Sequence, residues 1–196
     1  MKKLSFVLLI AAGILQSCGN NSGGGDSVDS AKDANDMKDT TSTMSTTDTT
    51  TKPVDKDVAD FAVEAANAGM TEVELGKLAQ EKAMNQRVKD FGAMMVQDHT
   101  SAGDELKKLA TAKNITLPAV AGDDAKKHMD DLSKKSGKDF DKAYMNMMLD
   151  GHKDVLKKFQ KAASDLKDAD IKNFASSTIP TIQKHIDSAM AITGKK

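Results

Sequence analysis

The chain has 196 residues, enough for one domain with appendages, and its 28 basic and 29 acidic residues give a formal net charge of −1. This balance argues against nucleic-acid binding, because no excess of basic charge is available to contact phosphates. Aromatic residues make up only 4% of the sequence, with no Trp and a single Tyr, which also argues against stacking platforms for bases or sugars.

Residues 1–17 have the pattern of a secretory signal peptide. Two lysines precede an apolar run that is too short to span a bilayer as a mature helix. The run ends in Leu-Gln-Ser-Cys at residues 15–18, which resembles the bacterial lipoprotein box, whose cysteine is acylated and becomes the new N-terminus. Gln16 replaces the small residue usual in that box, and the alternative is an ordinary signal peptide followed by an incidental cysteine. The lipoprotein interpretation accounts for the position of Cys18, the only cysteine, and predicts a stable lipid anchor.

Residues 18–53 are predicted to form a flexible tether after the acylated cysteine. The stretch is rich in Gly, Asn, Ser, Thr and Asp, and this composition cannot bury a core. A tether of about 35 residues has an average reach of about 30–35 Å, which holds a following domain clear of a lipid surface. Anchor and tether together predict a lipid-anchored bacterial envelope protein that faces the periplasm.

Residues 54–194 have a helical pattern, because apolar residues recur every three or four positions and do not alternate with polar ones as in a strand. Asn85 and Asp168 are suited to cap the starts of helices, and Gly194 is suited to end one. Four long helices are predicted, over residues 56–83, 86–113, 138–165 and 169–192.

A long connection separates the second and third of these helices. It contains Leu117 and Pro118, followed by the polar segment 123–136, which has weak helical character. A connection of this length can travel the full length of a bundle, so that the second and third helices run parallel. The predicted fold is therefore all-α, a ferritin-like four-helix bundle in the order up-down-down-up.

Each predicted helix places one polar side chain on its inward, apolar face near mid-length. These side chains are Glu72, His99, His152 and His185. Buried polar groups need hydrogen-bond partners or a bound ion, so one carboxylate and three imidazoles at one level of the bundle are expected to interact with one another or with a common ligand. They predict either a site for one transition-metal ion (Zn, Fe, Mn or Cu) or a hydrogen-bond network that fixes the helix register.

Two methionines lie one turn before their histidines. Met95 and Met148 are candidates for extra thioether ligands that would favour copper, and the alternative is that both simply fill the core. The residues three positions before the three inward histidines are Val96, Leu149 and Ile182. A ferritin-type di-iron centre needs Glu at that spacing, so ferroxidase chemistry is not predicted, and no arrangement of nucleophile and base suggests a hydrolase.

Several motifs occur in the order typical of one bacterial family. The chain resembles the outer membrane proteins of domain of unknown function 4142, which are grouped with ferritin-like bundles, over about residues 55–192. The motifs are Glu72–Ala79, Val88–Gly92, Met95–His99, Phe140–Met145 and Thr178–His185. The resemblance implies a ferritin-like fold, an envelope location and the three inward histidines as signature positions, but no established activity.

The sequence thus predicts a lipid-anchored envelope protein with a metal-binding or stress-related role. An alternative is a metal-free helical module that binds a partner or supports the envelope. An enzyme, such as a metal-dependent oxidoreductase, is a third interpretation. The one partner that the residues predict is the membrane, through the lipid on Cys18, and no protein partner is identifiable.

Overall fold

The computed structural model describes residues 25–41 and 53–195, and within these ranges all regular structure is helical. The helices are α1 (Ser27–Thr41), α2 (Lys56–Lys82), α3 (Gln86–Ala112), α4 (Asp123–Ser133), α5 (Gly137–Asp165) and α6 (Ala169–Thr193). The all-helical fold is as predicted. The four long helices, α2, α3, α5 and α6, begin and end within one residue of their predicted bounds.

Capping residues mark the starts of α3 and α6 and the end of α6. The Asn85 side chain accepts a hydrogen bond from the backbone of Arg87, and Asp168 accepts from the second and third residues of α6. Gly194 ends α6 in the left-handed conformation, with φ of 70°. All three predicted caps are confirmed.

Two glycines bring α2 and α3 into close contact. A Cβ atom on Gly76 would lie 2.7 Å from the carbonyl oxygen of Gly92, and a Cβ on Gly92 would lie equally close to the carbonyl oxygen of Gly76. Only residues without a side chain allow the two backbones to approach in this way. The contact lies one turn beyond Glu72 on α2, so it also fixes the position of the candidate site.

Helices α3 and α6 run in opposite directions. At one end, the Arg87 guanidinium donates a hydrogen bond to the carbonyl oxygen of Ala191 at 3.1 Å. At the other end, Lys113 follows α3 and pairs with Asp168 and Asp170 at the start of α6, at 2.7 and 2.8 Å.

Helices α2 and α5 are also antiparallel. The rings of Phe61 and Phe159 meet edge to face with centroids 5.1 Å apart, and at the opposite end Asp141 accepts hydrogen bonds from the backbone of Met84 and Asn85. Because the short turn after α2 reverses the chain, α3 is antiparallel to α2 as well. Helices α3 and α5 therefore run in the same direction.

The connection between α3 and α5 contains more structure than the sequence indicated. Its polar segment forms α4, an 11-residue helix that buries Ala125 and Leu132. These two side chains lie seven positions apart, so one narrow apolar stripe holds an otherwise charged helix against the rest of the fold.

The prediction that residues 18–53 form a flexible tether throughout is wrong over α1. This helix packs against the long helices and buries Ala31 and Asn35. The Asn35 side chain exchanges two hydrogen bonds with the backbone of Thr116, with Nδ2 to O at 2.9 Å and N to Oδ1 at 2.7 Å. A low apolar content is typical of disordered chains, but α1 is held largely by polar contacts to backbone groups.

The first half of α1 and the residue before it add further contacts to α2, to the start of α4 and to the loop before α4. Asp26 accepts a hydrogen bond from the backbone of Asp123, and the Ser27 hydroxyl accepts one from Ala119. Lys32 pairs with Glu64 on α2 at 3.2 Å. Helix α1 thus binds the loop at residues 116–119 and holds it near α2.

The predicted signal peptide (residues 1–17), Cys18 and the remainder of the tether lie outside the described residues and stay predictions. No helix in the described parts of the chain is both long and apolar enough to cross a membrane.

Candidate metal centre

Three histidines converge in the middle of the fold, as predicted. His99 comes from α3, His152 from α5 and His185 from α6, and each offers one ring nitrogen such that the three atoms lie within 4.8 Å of one another. The ring centroids are 5.1 to 5.7 Å apart. His152 and His185 are fully buried, whereas the His99 side chain is 12% exposed.

A packed aromatic group surrounds the histidines on one side. The Phe91 ring meets His152 and His185 edge to face, with both centroid distances at 6.5 Å. The Tyr144 ring packs against Phe91, with centroids 6.2 Å apart. Phe91 lies two turns before His99 on the same face of α3. The site is therefore largely removed from water, which strengthens electrostatic interactions within it.

The outer ring nitrogen of His152 is held by the backbone. Its Nδ1 lies 2.8 Å from the carbonyl oxygen of Met148, one turn earlier on α5. A carbonyl oxygen can only accept, so Nδ1 carries the hydrogen. In the neutral ring Nε2 is then a lone pair, and it faces His185 Nδ1 at 3.1 Å.

A carboxylate holds the outer nitrogen of His185 in the same manner. Its Nε2 lies 2.9 Å from Oδ2 of Asp98 on α3. Asp98 is not among the residues that the sequence predicted, because a residue directly before an inward histidine lies about 100° away from it around the helix. The Asp98 side chain points between α3 and α6. The sequence feature that could have identified it is its position directly before His99, from which its carboxylate can reach a histidine on a neighbouring helix.

Because the outer nitrogens of His152 and His185 carry the hydrogens of the neutral rings, neither inner nitrogen has a hydrogen to donate to the other. When both rings are neutral and both outer nitrogens donate, the inner nitrogens of His152 and His185 direct lone pairs toward each other. Burial lowers the pKa of His185 to about 4, against the opposing effect of the Asp98 hydrogen bond, and the other two histidines lower it further. An added proton is thus disfavoured at neutral pH, and a cation between the rings would satisfy both lone pairs.

Glu72, which the sequence predicted as a fourth ligand, lies beside the three-histidine group, which does not include it. Its Oε2 lies 3.1 Å from His99 Nε2, yet the two atoms are not aligned as a hydrogen bond, and both are buried without a partner among the described residues. Its Oε1 lies 3.4 Å from His152 Nδ1. Two ligands of one tetrahedral zinc ion lie about 3.3 Å apart, so the separation of the two unpaired atoms fits a shared ion.

The environment favours a neutral His99. Burial lowers the pKa of His99, and the nearby His152 lowers it as well, while the Glu72 and Asp98 carboxylates raise it. A neutral imidazole is the form that binds metals.

Residues 43–192 match the family described as "Domain of unknown function (DUF4142)". The chain belongs to this family. The family resemblance seen in the sequence is thereby confirmed, over more than half of the chain. No curated protein and no solved structure matches the chain. The DUF4142 description assigns no activity.

Two further buried residues lie at this DUF4142 site. Met148 contributes its backbone carbonyl oxygen, as described above, and Met95 packs its Cβ atom at the close approach of α2 and α3. Thioether ligation by either methionine stays a prediction. The Tyr144 hydroxyl is buried without a partner in the described structure, and burial, together with the charge of Glu72, raises its pKa.

Proposed function

We propose that this DUF4142 protein binds one transition-metal ion between His99, His152, His185 and Glu72. The observation that carries the proposal is the pair of inner nitrogens of His152 and His185, which face each other at 3.1 Å while their outer nitrogens donate to fixed acceptors. A cation bound to both inner nitrogens removes the repulsion of their lone pairs.

The surroundings of the rings support the same proposal. Histidine ligands of metal ions usually donate their other N–H to a carbonyl or carboxylate, and the Met148 carbonyl and Asp98 carboxylate occupy those positions. The unpaired Glu72 Oε2 and His99 Nε2 gain a common partner in the same ion. Two carboxylates also balance the charge of a divalent cation.

The donor set limits the metal. Three imidazoles and one carboxylate suit Zn, Fe, Mn or Cu, and they are a poor match for Mg or Ca, which prefer oxygen ligands throughout. In a DUF4142 protein whose first 18 residues predict export and acylation, we infer that this site serves metal binding or a stress-related role in the envelope, with the protein anchored through Cys18 to the outer membrane and facing the periplasm.

We further infer that the four long helices form a ferritin-like bundle in the order up-down-down-up. The end-to-end contacts of α3 with α6 and of α2 with α5 support this order. The metal site would nevertheless differ from a ferritin di-iron centre, because Val96, Leu149 and Ile182 stand where that centre has glutamates.

Elemental analysis of the full chain, purified without a histidine tag, tests the proposed function. We expect about one equivalent of one transition metal in the unaltered chain, and almost none in the double variant His99→Ala/His185→Ala. His128→Ala is the matched control, because His128 is the one histidine outside the cluster and lies on α4. A chain that stays empty after incubation with Zn, Cu, Fe and Mn would instead favour the metal-free helical module.

A further inference from the structure

A cavity of about 660 Å³ begins at Glu72 and His99 and extends between α2 and α3 to the loop at residues 115–121, which α1 contacts. Its walls are mainly apolar and come from four helices and the loop. Representative lining residues are Ala65, Ala102, Leu106, Leu117, Phe159 and Ile182. Cavities of about 300–1,000 Å³ with apolar walls and a few polar groups are typical of sites for small molecules.

The polar end of this cavity contains an imidazole nitrogen without an acceptor. His152 and His185 donate their outer nitrogens to the protein, but the described structure offers His99 Nδ1 no such acceptor. This nitrogen lies 4.0 Å from the position that a Cβ on Gly69 would take, and Gly69 and His99 both line the cavity. The absent side chain at residue 69 thus leaves Nδ1 accessible from the cavity.

The state of His99 determines what can bind there. When Nε2 of a neutral imidazole binds a metal ion, the hydrogen is on Nδ1, which is then a donor. A ligand that reaches Nδ1 must therefore present an acceptor, and a carboxylate is the strongest one because its hydrogen bond is charge-assisted. It would give His99 the same kind of contact that Asp98 gives His185.

The wall formed by the loop is held in place before any ligand arrives. Thr116 is paired twice with Asn35 of α1, and the backbone of Ala119 donates to Ser27. Leu117 and Val120 of this loop line the cavity. A wall fixed in this way lowers the entropic cost of binding.

We propose that this cavity binds a small aliphatic carboxylate, with the carboxylate at His99 Nδ1 and the chain along the apolar walls. The inference rests on the proposed metal site, because the ion at Nε2 fixes the hydrogen on Nδ1. The ligand acts as an orienting partner of His99, and no reaction of the ligand is implied.

Calorimetric titration of the zinc-loaded full chain with decanoate tests this site. We expect saturable binding that is at least about tenfold weaker in Gly69→Leu, whose side chain enters the cavity beside Nδ1. Gly151→Leu is the matched control, because it places the same side chain on α5, where an added Cβ meets no atom within 4 Å. Decylamine, which has a donor in place of the acceptor, should also bind at least about tenfold more weakly than decanoate.

Metal content measured on the same samples separates the two proposals. If zinc is bound but decanoate does not bind saturably, or binds no better than decylamine, the carboxylate site is wrong and the metal site stands. If zinc is not retained, the metal site fails and the carboxylate site fails with it. Should Gly69→Leu be unfolded, Gly69→Ala replaces it, since its methyl group meets Nδ1 at an ordinary contact distance of 4.0 Å and should still weaken binding.

Discussion

The Asp98 carboxylate on α3 lies 2.9 Å from Nε2 of His185 on α6, so one helix fixes the orientation of the imidazole on its neighbour. The contact turns Nδ1 of that ring toward His152 and leaves it free of hydrogen in the neutral form. A carboxylate placed behind a histidine in this way is typical of metal sites, in which it sets the tautomer and raises the basicity of the ligand.

Replacing Asp98 by Asn should weaken metal binding while the fold is kept. The variant retains the shape of the side chain but removes the charge behind His185, and such changes usually cost about 10- to 100-fold in metal affinity. Competition with a chelator of known zinc affinity measures the change. Asp150→Asn, an exposed position on α5, is the control and should leave the affinity unchanged. Equal affinities in both variants would contradict the role assigned to Asp98.

The stability of the metal-free chain should fall as the pH is lowered from about 6.5 to about 4. The pKa of His185 is about 4 in the folded protein because of burial, and about 6.5 in the unfolded chain. Between these values the unfolded state binds a proton that the folded state does not, so the contribution of His185 is complete above pH 6.5 and is lost toward pH 4. The loss is on the order of 2–4 kcal/mol.

Urea denaturation at several pH values, with a chelator present, measures this dependence. His185→Asn should flatten the slope between pH 6.5 and 4, whereas the control His128→Asn should not. A wild-type free energy of unfolding that rises on acidification across this range would contradict the account.

Tyr144→Phe should stabilise the protein. The Tyr144 ring is stacked on Phe140 with centroids 6.0 Å apart, but its hydroxyl is buried without a partner in the described structure. A buried unsatisfied polar group costs about 1–3 kcal/mol, so its removal should raise the free energy of unfolding by about 0.5–2 kcal/mol. Denaturant titration gives the difference, and a loss of stability would show that the hydroxyl is engaged.

Gly92→Ala should destabilise the protein and reduce its metal content. The new Cβ would lie 2.7 Å from the carbonyl oxygen of Gly76, so α2 must shift away from α3 and carry Glu72 with it. A cost of about 1–3 kcal/mol is expected for such overpacking. Gly103→Ala on the same helix meets no atom within 4 Å and should instead add about 0.5–1 kcal/mol through helix propensity. Similar thermal unfolding midpoints for the two variants would argue against the close contact.

Asn35→Ala should loosen α1 from the loop. The change removes both hydrogen bonds to Thr116 and leaves partly buried backbone groups unpaired, at a cost of about 1–3 kcal/mol. Limited proteolysis should then cut within α1 earlier than in the unaltered chain. A Lys32→Ala variant, which removes only a partly exposed ion pair with Glu64, should be cut at nearly the original rate.

Helix periodicity and capping residues were sufficient to predict the four long helices, because both signals are local. They were also sufficient to predict that the three histidines meet, since inward faces at equal heights lie together in a packed bundle. The role of Asp98 could not be predicted in this way. It depends on how far α3 and α6 are rotated toward each other, and that rotation follows from packing.

Helix α1 and the cavity were missed for a related reason. The apolar content of residues 27–41 is low, and Asn35 gains its importance only when the backbone of Thr116 lies beside it. The cavity depends on the absence of a side chain at Gly69 opposite His99, a relationship between two helices that no local pattern contains.

X-ray absorption fine structure on the zinc-loaded full chain tests the proposed metal site most directly. We expect three imidazole nitrogens and one oxygen at about 2.0–2.1 Å from the metal, with the outer-shell scattering of histidine rings. The number of imidazoles should fall in His185→Ala and stay unchanged in His128→Ala. A first shell made of oxygen alone, or an unchanged imidazole count in His185→Ala, would show that the histidines do not hold the metal.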